Sequence, residues 1–261
     1  MKPCPGNPWF PLVLLLVAGW VSGCRTAAPS AVTDVTPSPA VEGDLAARVE
    51  AFVRQTHLHG VPYEAAREFG AGAIPILEAM LADETEMSTW PNVVVTLAIV
   101  GDGRAGQRLI EFIRQDAARR LSPSHCMAKY SALMALGYLV NHTSDPASLE
   151  FLVQAARPAY WEALAPRWSS PYEYTSVTRN LQLANMAMLG LALSGHPDAI
   201  RALESMREPE LDPAGRQLQA ARSGLLDEAL EASRVIAQDG LTEYYRRAGR
   251  EHSAAPATPA P

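Results

Sequence analysis

Two residues that could carry nucleophilic chemistry are neighbours in the sequence, His125 and Cys126. A thiol nucleophile needs a base within hydrogen-bonding reach. The surrounding residues have helical spacing, and adjacent side chains on a helix point about 100° apart, so this pair cannot form that hydrogen bond. Cys126 shares an apolar helical stripe with Tyr130 and Leu133. We therefore predict that Cys126 packs as a small buried hydrophobe.

Residues that could hold a metal ion are few and poorly spaced. His57 and His59 lie two apart at the end of a predicted helix with no cysteine nearby, whereas a zinc site takes three or four converging ligands. The acidic run around Glu84 lacks the glycine and the spacing of a calcium loop and predicts a solvated turn. The sequence has no glycine-rich phosphate loop and no zinc-binding helix motif. It therefore predicts no enzyme activity, no metal and no cofactor.

The segment 157–176 has the composition of a binding surface. It separates two predicted helices by far more than the usual connection of about 2–8 residues. Tyrosine, tryptophan and arginine, which are enriched at binding hot spots, are concentrated in it. We call this segment the insert. Its candidate partner-binding residues are Tyr160, Trp161, Arg167, Trp168, Tyr172 and Tyr174.

Two interpretations of the insert stay open. In one, its aromatic side chains are exposed and bind a protein partner or, alternatively, stack against cell-wall glycans. In the other, Trp161 and Trp168 fold back and cover the apolar flank of the helical domain. A further alternative is that the protein is an accessory subunit of an envelope enzyme.

The amino-terminal stretch predicts secretion. Lys2 is its one positive charge, and an apolar core follows from Pro11 to Val21. A bilayer span needs roughly 20 apolar residues, so this core is too short to be one. Its charge, its length and the small residues at its end are typical of a signal peptide, which we assign to residues 1–23.

The end of that stretch reads Val21-Ser22-Gly23-Cys24 and resembles the lipobox of bacterial lipoproteins. The resemblance implies cleavage before Cys24 and a diacylglycerol on its sulfur, usually with another acyl chain on the new amino terminus. Two or more chains anchor stably, because each buried methylene contributes about 0.8 kcal/mol. The enterobacterial members of the family retained in the inner membrane have an aspartate where this chain has Arg25. The expected location is therefore the outer membrane, facing the periplasm.

Composition divides the rest of the chain into three parts. Residues 24–42 and 248–261 are rich in Ala, Pro, Ser and Thr, which predicts a disordered tether and a disordered tail. Residues 43–247 form one ordered domain, long enough for a buried core. The net charge of −6 at pH 7 argues against a nucleic-acid partner.

Apolar spacing in the ordered domain predicts helices. Ile74, Leu77 and Leu81 lie at i, i+3 and i+7, which places them on one helix face. The β-branched run Val93-Val94-Val95 would favour a strand. Both of its neighbours are helical and nothing alternates with period two, so we predict a helix there too. The predicted fold class is all-α.

Similar helix pairs recur from residue 64 to about residue 225. A pair of antiparallel helices cannot bury its apolar side alone, so copies must stack. The pattern resembles the HEAT-repeat family, which implies an α-solenoid whose long curved surfaces bind protein partners. The spacing of the copies is uneven, and a multi-helix domain without true repeats stays an alternative. The first helices begin near Ala73, Ala105, Ala147 and Ala199, and the second near Asn92, Ser131, Ala184 and Arg216.

Three aspartates precede predicted first helices. Asp102, Asp145 and Asp198 each stand where the side chain of a helix cap would lie. Asp145 also precedes Pro146, and proline suits the first helical position. We predict that all three cap helices and that none belongs to a functional site.

Overall fold

The computed structural model of the protein describes residues 39–57, 60–116, 118–173, 175–208 and 213–253. Cys24, most of the tether, His59, Tyr174 and the end of the tail lie outside the described residues. The predictions for lipidation, for the tether and for the tail therefore stay predictions. The first described helix already begins at Pro39, and the last ends at Ser253.

The described residues form α-helices and short 3-10 turns, without a strand, and this confirms the all-α prediction. The run Val93–Val95 lies inside a helix, as predicted. The helices, numbered in chain order, are α1 Pro39–Val53, α2 Tyr63–Arg67, α3 Ile74–Ala82, α4 Trp90–Val100, α5 Gly103–Arg114, α6 Pro123–Thr143, α7 Pro146–Ala155, α8 Pro158–Leu164, α9 Ser176–Ser194, α10 Pro197–Ser205 and α11 Pro213–Ser253.

The helices predicted to pair are in contact. Helix α3 packs on α4, α5 on α6, α7 on α9 and α10 on α11. The second helices also contact one another in succession, α4 with α6, α6 with α9 and α9 with α11. Their shared interior is aliphatic, because each helix buries a stripe of side chains such as Leu97, Leu136 and Leu191. Burying such side chains is the main favourable contribution to folding, about 1.5–3 kcal/mol each.

Two of the three predicted aspartate caps are confirmed. Asp102 accepts hydrogen bonds from the amides of Arg104 and Ala105 at the start of α5. Asp145 accepts one from the Ser148 amide at 2.8 Å at the start of α7. These bonds satisfy amides that have no partner inside the helix.

The prediction for Asp198 is wrong. Pro197 is the first residue of α10, so the capping position falls on His196, whose ring Nδ1 accepts from the Asp198 amide at 3.2 Å. Asp198 lies in the first turn, where its carboxylate pairs with Arg201 and is favoured by the helix dipole.

Near the amino-terminal end of the described residues, the acidic run forms the predicted turn. His57 lies just beyond the end of α1, with its Nε2 atom 3.1 Å from the carbonyl oxygen of Phe52. Glu84–Glu86 forms a 3-10 turn, and the Asp83 side chain accepts from the Thr85 amide at 2.8 Å. The carboxylate of Glu86 pairs with Arg54.

The last helix returns to the start of the domain. Gly240 breaks α11 with φ 82°, a conformation that glycine adopts without a steric penalty. Beyond it, the hydroxyl of Tyr245 bonds to that of Tyr138 in α6, and Thr242 donates to Glu64 in α2. The Tyr63 ring also lies 6.1 Å from that of Tyr245. The carboxyl end of α11 therefore links α6 with the amino-terminal helices.

Candidate functional site

The insert connects α7 to α9 and is partly helical. Pro158 occupies the first position of α8, where its missing amide hydrogen costs no bond. Ala165 ends the helix in the left-handed conformation, with φ 46°. Residues 166–173 contain bends and one isolated β-bridge, at Ser169. Thr175 caps α9 through its hydroxyl.

The two tryptophans of the insert are buried. Trp161 is 1% exposed and Trp168 is 2% exposed. The indole N–H of Trp161 donates to the carbonyl oxygen of Ala155 at 2.7 Å, so its polar atom is satisfied inside the protein. Of the two interpretations of the insert, the structure agrees with the one in which these indoles cover the flank of the helices. Their faces are therefore not available to a ligand in this conformation.

Trp168 is held by two cationic side chains. Arg179 of α9 lies with its Cζ atom 5.0 Å from the centre of the indole ring, and Lys129 of α6 lies with its Nζ atom 6.0 Å away. Arg179 also donates to the carbonyl oxygen of Trp168 and, at 2.9 Å, to the side chain of Asn180. Cation–π contacts contribute about 0.5–1 kcal/mol at exposed sites and about 2 kcal/mol when they are desolvated. They fasten the middle of the insert to both helices.

Lys129 is the most buried charged side chain of this region, at 1% exposed. Its ammonium group donates to the carbonyl oxygens of Phe112 at 2.7 Å, Ile113 at 3.0 Å and Gln115 at 2.9 Å. These carbonyls end α5 and have no partner inside that helix. Burial lowers the pKa of Lys129 to about 8, so the group is protonated at neutral pH and uses all three donors.

A polar cluster lies beneath the carboxyl-terminal half of the insert. Tyr130 donates to the Glu173 carboxylate at 2.6 Å, and Ser170 donates to the same oxygen. The Cys126 sulfur lies 3.4 Å from the Ser170 hydroxyl. Burial raises the pKa of the Cys126 thiol and that of the Tyr130 phenol, which keeps both groups protonated. The cluster therefore joins the insert to α6 through hydrogen bonds, and the thiol is not activated as a nucleophile needs.

His125 does not contact this cluster. Its ring stacks on that of Phe112, with the ring centres 5.7 Å apart, and lies edge to face with Trp90, with the ring centres 5.1 Å apart. Its Nε2 atom is buried without a hydrogen-bond partner among the described residues. Burial, reinforced by the charges of Lys129 and Arg119, lowers the pKa of His125 to about 4. His125 and Cys126 thus have separate surroundings, and the predicted packing role of Cys126 is confirmed by its complete burial.

The loop between α5 and α6 runs beside the insert. The Ser169 amide donates to the carbonyl of Arg119 at 3.1 Å, and the Leu121 amide donates to the carbonyl of Ser169 at 3.0 Å. Asp116 accepts from both the amide and the guanidinium of Arg167, which lowers the pKa of that carboxyl. The loop and the insert consequently form one continuous surface.

The other predicted partner-binding residues differ in their exposure. Tyr160 is half-buried, and its hydroxyl accepts from Arg114 at 3.2 Å. Arg167 is exposed and pairs with Asp116 at 2.7 Å. Tyr172 is 42% exposed. Tyr174 lies outside the described residues. The surface of the insert therefore includes Tyr160, Arg167 and Tyr172 but neither tryptophan.

Exposed apolar side chains concentrate around the insert. Among the described residues, the large apolar side chains that are exposed are Met127, Leu164, Tyr172 and Val177. Leu164 and Tyr172 belong to the insert, and Val177 follows it at the start of α9. Met127 adjoins Cys126, which contacts the insert through Ser170. We call Leu164, Tyr172 and Val177 the apolar rim.

A groove elsewhere on the surface is a weaker candidate for a binding site. It is a groove of about 490 Å³ beside α1 and α3. Its floor includes Ile76 and Met80, and its charged wall is Arg54, which pairs with Glu50 at 2.8 Å and with Glu86 at 2.6 Å. Asp83, which also lines the groove, accepts from Thr85, so each of these charged side chains already has a partner inside the protein.

Comparisons of the chain with protein-family models, with curated proteins and with solved structures found no match. No helix of the described part of the chain is sufficiently long and apolar to cross a bilayer. Within the same residues, no three His, Cys, Asp or Glu side chains converge as metal ligands would.

Sequence reasoning missed the buried cations that hold the insert. Lys129 lies three residues after Cys126 and four before Leu133. This spacing places it on the apolar face of the helix and could have indicated that it is buried. Arg179 follows the predicted insert and gave no such signal. The acceptors of Lys129 are backbone carbonyls, and Arg179 bonds to the Trp168 carbonyl and to the Asn180 side chain. A sequence pattern does not reveal such partners.

Proposed function

We propose that this protein is a lipid-anchored helical-repeat binding module that faces the periplasm and docks a protein partner on the surface of the insert. The observation that carries the proposal is the apolar rim. In the part of the chain that the structure describes, large exposed apolar side chains occur around the insert rather than over the whole surface. A localised group of this kind is typical of an interaction site.

The succession of helix contacts supports a repeat architecture. Each second helix touches the next one along the chain, and α5, α7 and α10 also touch in succession. Stacked pairs of this kind would form a HEAT-like α-solenoid, in which every repeat contacts its neighbours. Such stacks offer extended, rigid surfaces to protein partners.

The fastening of the insert supports a binding role for its outer surface. Trp161, Trp168 and the Tyr130–Glu173 hydrogen bond hold the insert from below. A surface already ordered before binding loses less conformational entropy when a partner docks. Loops held on a rigid framework often carry function. The buried tryptophans thus have a structural role beneath a surface available for contact.

Protein binding is favoured over glycan binding. Stacking on a sugar needs an exposed aromatic face, and the indole faces of Trp161 and Trp168 are covered. Among the described residues of the insert, Tyr172 keeps an exposed aromatic ring. The exposed Leu164, Arg157 and Arg167 are of types suited to a protein surface. We include in the proposal the anchor at Cys24 and the outer-membrane location. If extended at about 3.1 Å per residue, the tether would let the domain reach about 50 Å from the membrane.

The experiment is to extract the protein from membranes of its own cells in a mild detergent and measure the size of the complex that contains it. The wild type should migrate with a partner. Replacing Leu164 and Val177 together by Ser should release the free chain, because the apolar rim is lost. Gln107→Ser with Glu231→Ser is the matched control, since both side chains are exposed on other helices, and it should leave the complex intact.

Anchoring is tested separately. Cys24→Ala should move the protein from the membrane fraction to the soluble fraction and abolish labelling with a fatty-acid analogue. An unchanged membrane fraction without acylation contradicts the anchor. A complex of unchanged size in the Leu164→Ser, Val177→Ser variant contradicts the binding surface.

A further inference from the structure

Five arginines lie on the surface formed by the insert and the adjoining loop. They are Arg114, Arg119, Arg120, Arg157 and Arg167, and all five are exposed. The two segments are joined at Ser169, which pairs with Arg120 in an isolated β-bridge. Arg114 contacts the hydroxyl of Tyr160 in α8, so the two ends of the surface are connected as well. We call this set the arginine surface.

The arginine surface is less neutralised than the rest of the exterior. The side chains of Arg114, Arg120 and Arg157 form no ion pair with the described residues, and Arg119 lies 3.9 Å from Glu84. Arg167 alone has a close pair, with Asp116. Most surface arginines elsewhere in the described ranges have a carboxylate partner; these are Arg54, Arg67, Arg108, Arg201, Arg207, Arg234, Arg246 and Arg247.

The local charge also opposes that of the whole chain. The chain has 22 basic and 28 acidic side chains. In residues 114–122 and 157–173, by contrast, arginines outnumber the acidic residues. Of those acidic residues, Glu173 is already bonded to Tyr130 and Ser170, and Asp116 is bonded to Arg167. Glu162, in α8, is exposed, and Glu173 keeps its negative charge because its partners are neutral hydroxyls. The five guanidinium groups nevertheless outnumber the three carboxylates of these segments.

We propose that the partner presents an acidic protein segment to the arginine surface, with an apolar side chain placed on the apolar rim. This inference rests on the proposed function and specifies the chemistry of its partner. The planar guanidinium group matches a carboxylate with two parallel hydrogen bonds. Leu164 and Tyr172 border the arginines in the chain, so one extended segment can contact both. Charge complementarity selects this partner over a basic or a neutral one.

The test uses the full-length chain in a nonionic detergent and three synthetic peptides of equal length. The peptides share the same Leu and Phe residues and carry Glu, Ser or Lys at the remaining positions. Fluorescence anisotropy should show the Glu peptide binding at least about tenfold more tightly than the Ser peptide. The Lys peptide should not bind. Affinity for the Glu peptide should fall as salt is raised, because exposed charges are screened.

Variants locate the binding site. Arg120→Glu with Arg157→Glu should weaken binding of the Glu peptide by about tenfold or more. Arg104→Glu with Arg201→Glu changes the net charge equally at exposed positions on α5 and α10, and it should bind like the wild type. Arg120→Lys with Arg157→Lys keeps the charge but loses the planar guanidinium group. Its affinity for the Glu peptide should lie between that of the wild type and that of the Arg120→Glu, Arg157→Glu variant. Circular dichroism and thermal melting of each variant identify any loss of folding.

Three outcomes overturn the inference. One is equal affinity for the Glu and Ser peptides. Another is that Arg104→Glu with Arg201→Glu weakens binding of the Glu peptide as much as Arg120→Glu with Arg157→Glu does. The third is arginine-dependent binding to phosphatidylcholine vesicles containing phosphatidylglycerol without any preference for the Glu peptide, which would assign the surface to anionic lipid. If one of these three outcomes occurs while the Leu164→Ser, Val177→Ser variant loses its native complex, the proposed function stands and only this inference falls. An intact native complex in that variant contradicts the proposed function itself.

Discussion

Gly137 of α6 and Gly190 of α9 bring two helix backbones into direct contact. A Cβ atom on Gly137 would lie 2.1 Å from the carbonyl oxygen of Gly190, and one on Gly190 would lie 2.6 Å from the carbonyl oxygen of Leu133. No side chain fits at either position. Helix α6 carries Lys129 and helix α9 carries Arg179, and both cations contact Trp168. The glycine contact therefore sets the separation of the two helices that hold the insert.

Gly137→Ala should destabilise the protein. The added methyl group would meet backbone rather than a flexible side chain, so the helices must separate, at a cost of about 1–3 kcal/mol or more. Urea unfolding followed by circular dichroism measures the loss. Gly224→Ala in α11 is the control, because nothing lies within 4 Å of its Cβ position. That substitution should stabilise the helix by about 0.5–1 kcal/mol.

Trp161→Ala and Trp168→Ala should each lower the free energy of unfolding by about 3–5 kcal/mol, because large cavities are left. Leu164→Ala in the same insert should change it by less than about 0.5 kcal/mol, because Leu164 is exposed. Thermal melting of the three variants checks the contrast. Similar melting temperatures for all three would show that the indoles are not part of the core.

Lys129→Met should destabilise the protein by about 2 kcal/mol. The substitution keeps the length of the side chain but leaves the carbonyls of Phe112, Ile113 and Gln115 without their donor. Denaturant unfolding at pH 7 measures the change. An equally stable variant would mean that the end of α5 does not depend on the ammonium group.

Lysine acylation offers a second measurement, because Lys2 and Lys129 are the chain's only lysines. Mass spectrometry after brief treatment with an acylating reagent should find Lys129 protected in the native protein. Trp168→Ala should increase its labelling, since the insert then opens. Rapid labelling of Lys129 in the wild type would contradict its burial.

Stability should fall between pH 6.5 and pH 4 because of His125. Its pKa is lowered from 6.5 to about 4 in the folded protein, so the unfolded chain binds more protons in that range and acid favours unfolding. At pH 5 the loss relative to pH 7 is about 2 kcal/mol. His125→Phe, which lacks the titrating group, should flatten this part of the profile. Urea unfolding at several pH values tests both proteins, and parallel profiles would contradict the assignment.

The helices could be predicted from the sequence because their apolar stripes recur at helical spacing. Ile74, Leu77 and Leu81 all fall in α3, with Leu77 and Leu81 buried. Asp102 and Asp145 could be predicted as caps because capping is local. Asp198 was misassigned because Pro197 begins the helix and shifts the cap to His196.

The position of the insert could be predicted from the sequence, but which of its side chains are buried could not. Its aromatic composition fits an exposed surface and a buried flank equally well. The choice depends on contacts with residues far away in the chain, such as Lys129 and Arg179. The return of α11 was also missed, because it depends on the backbone of Gly240 and on the distant contact between Tyr245 and Tyr138.

Site-specific photo-cross-linking in living cells tests the binding surface most directly. A photoreactive amino acid would replace Leu164 or Val177 in one set of variants and Gln107 or Glu231 in another. All four side chains are exposed, but the first two belong to the apolar rim. We expect one discrete protein adduct from the rim positions and none from the control positions. Equal cross-linking from all four positions, or none from the rim, would contradict the proposal that this surface binds a protein partner.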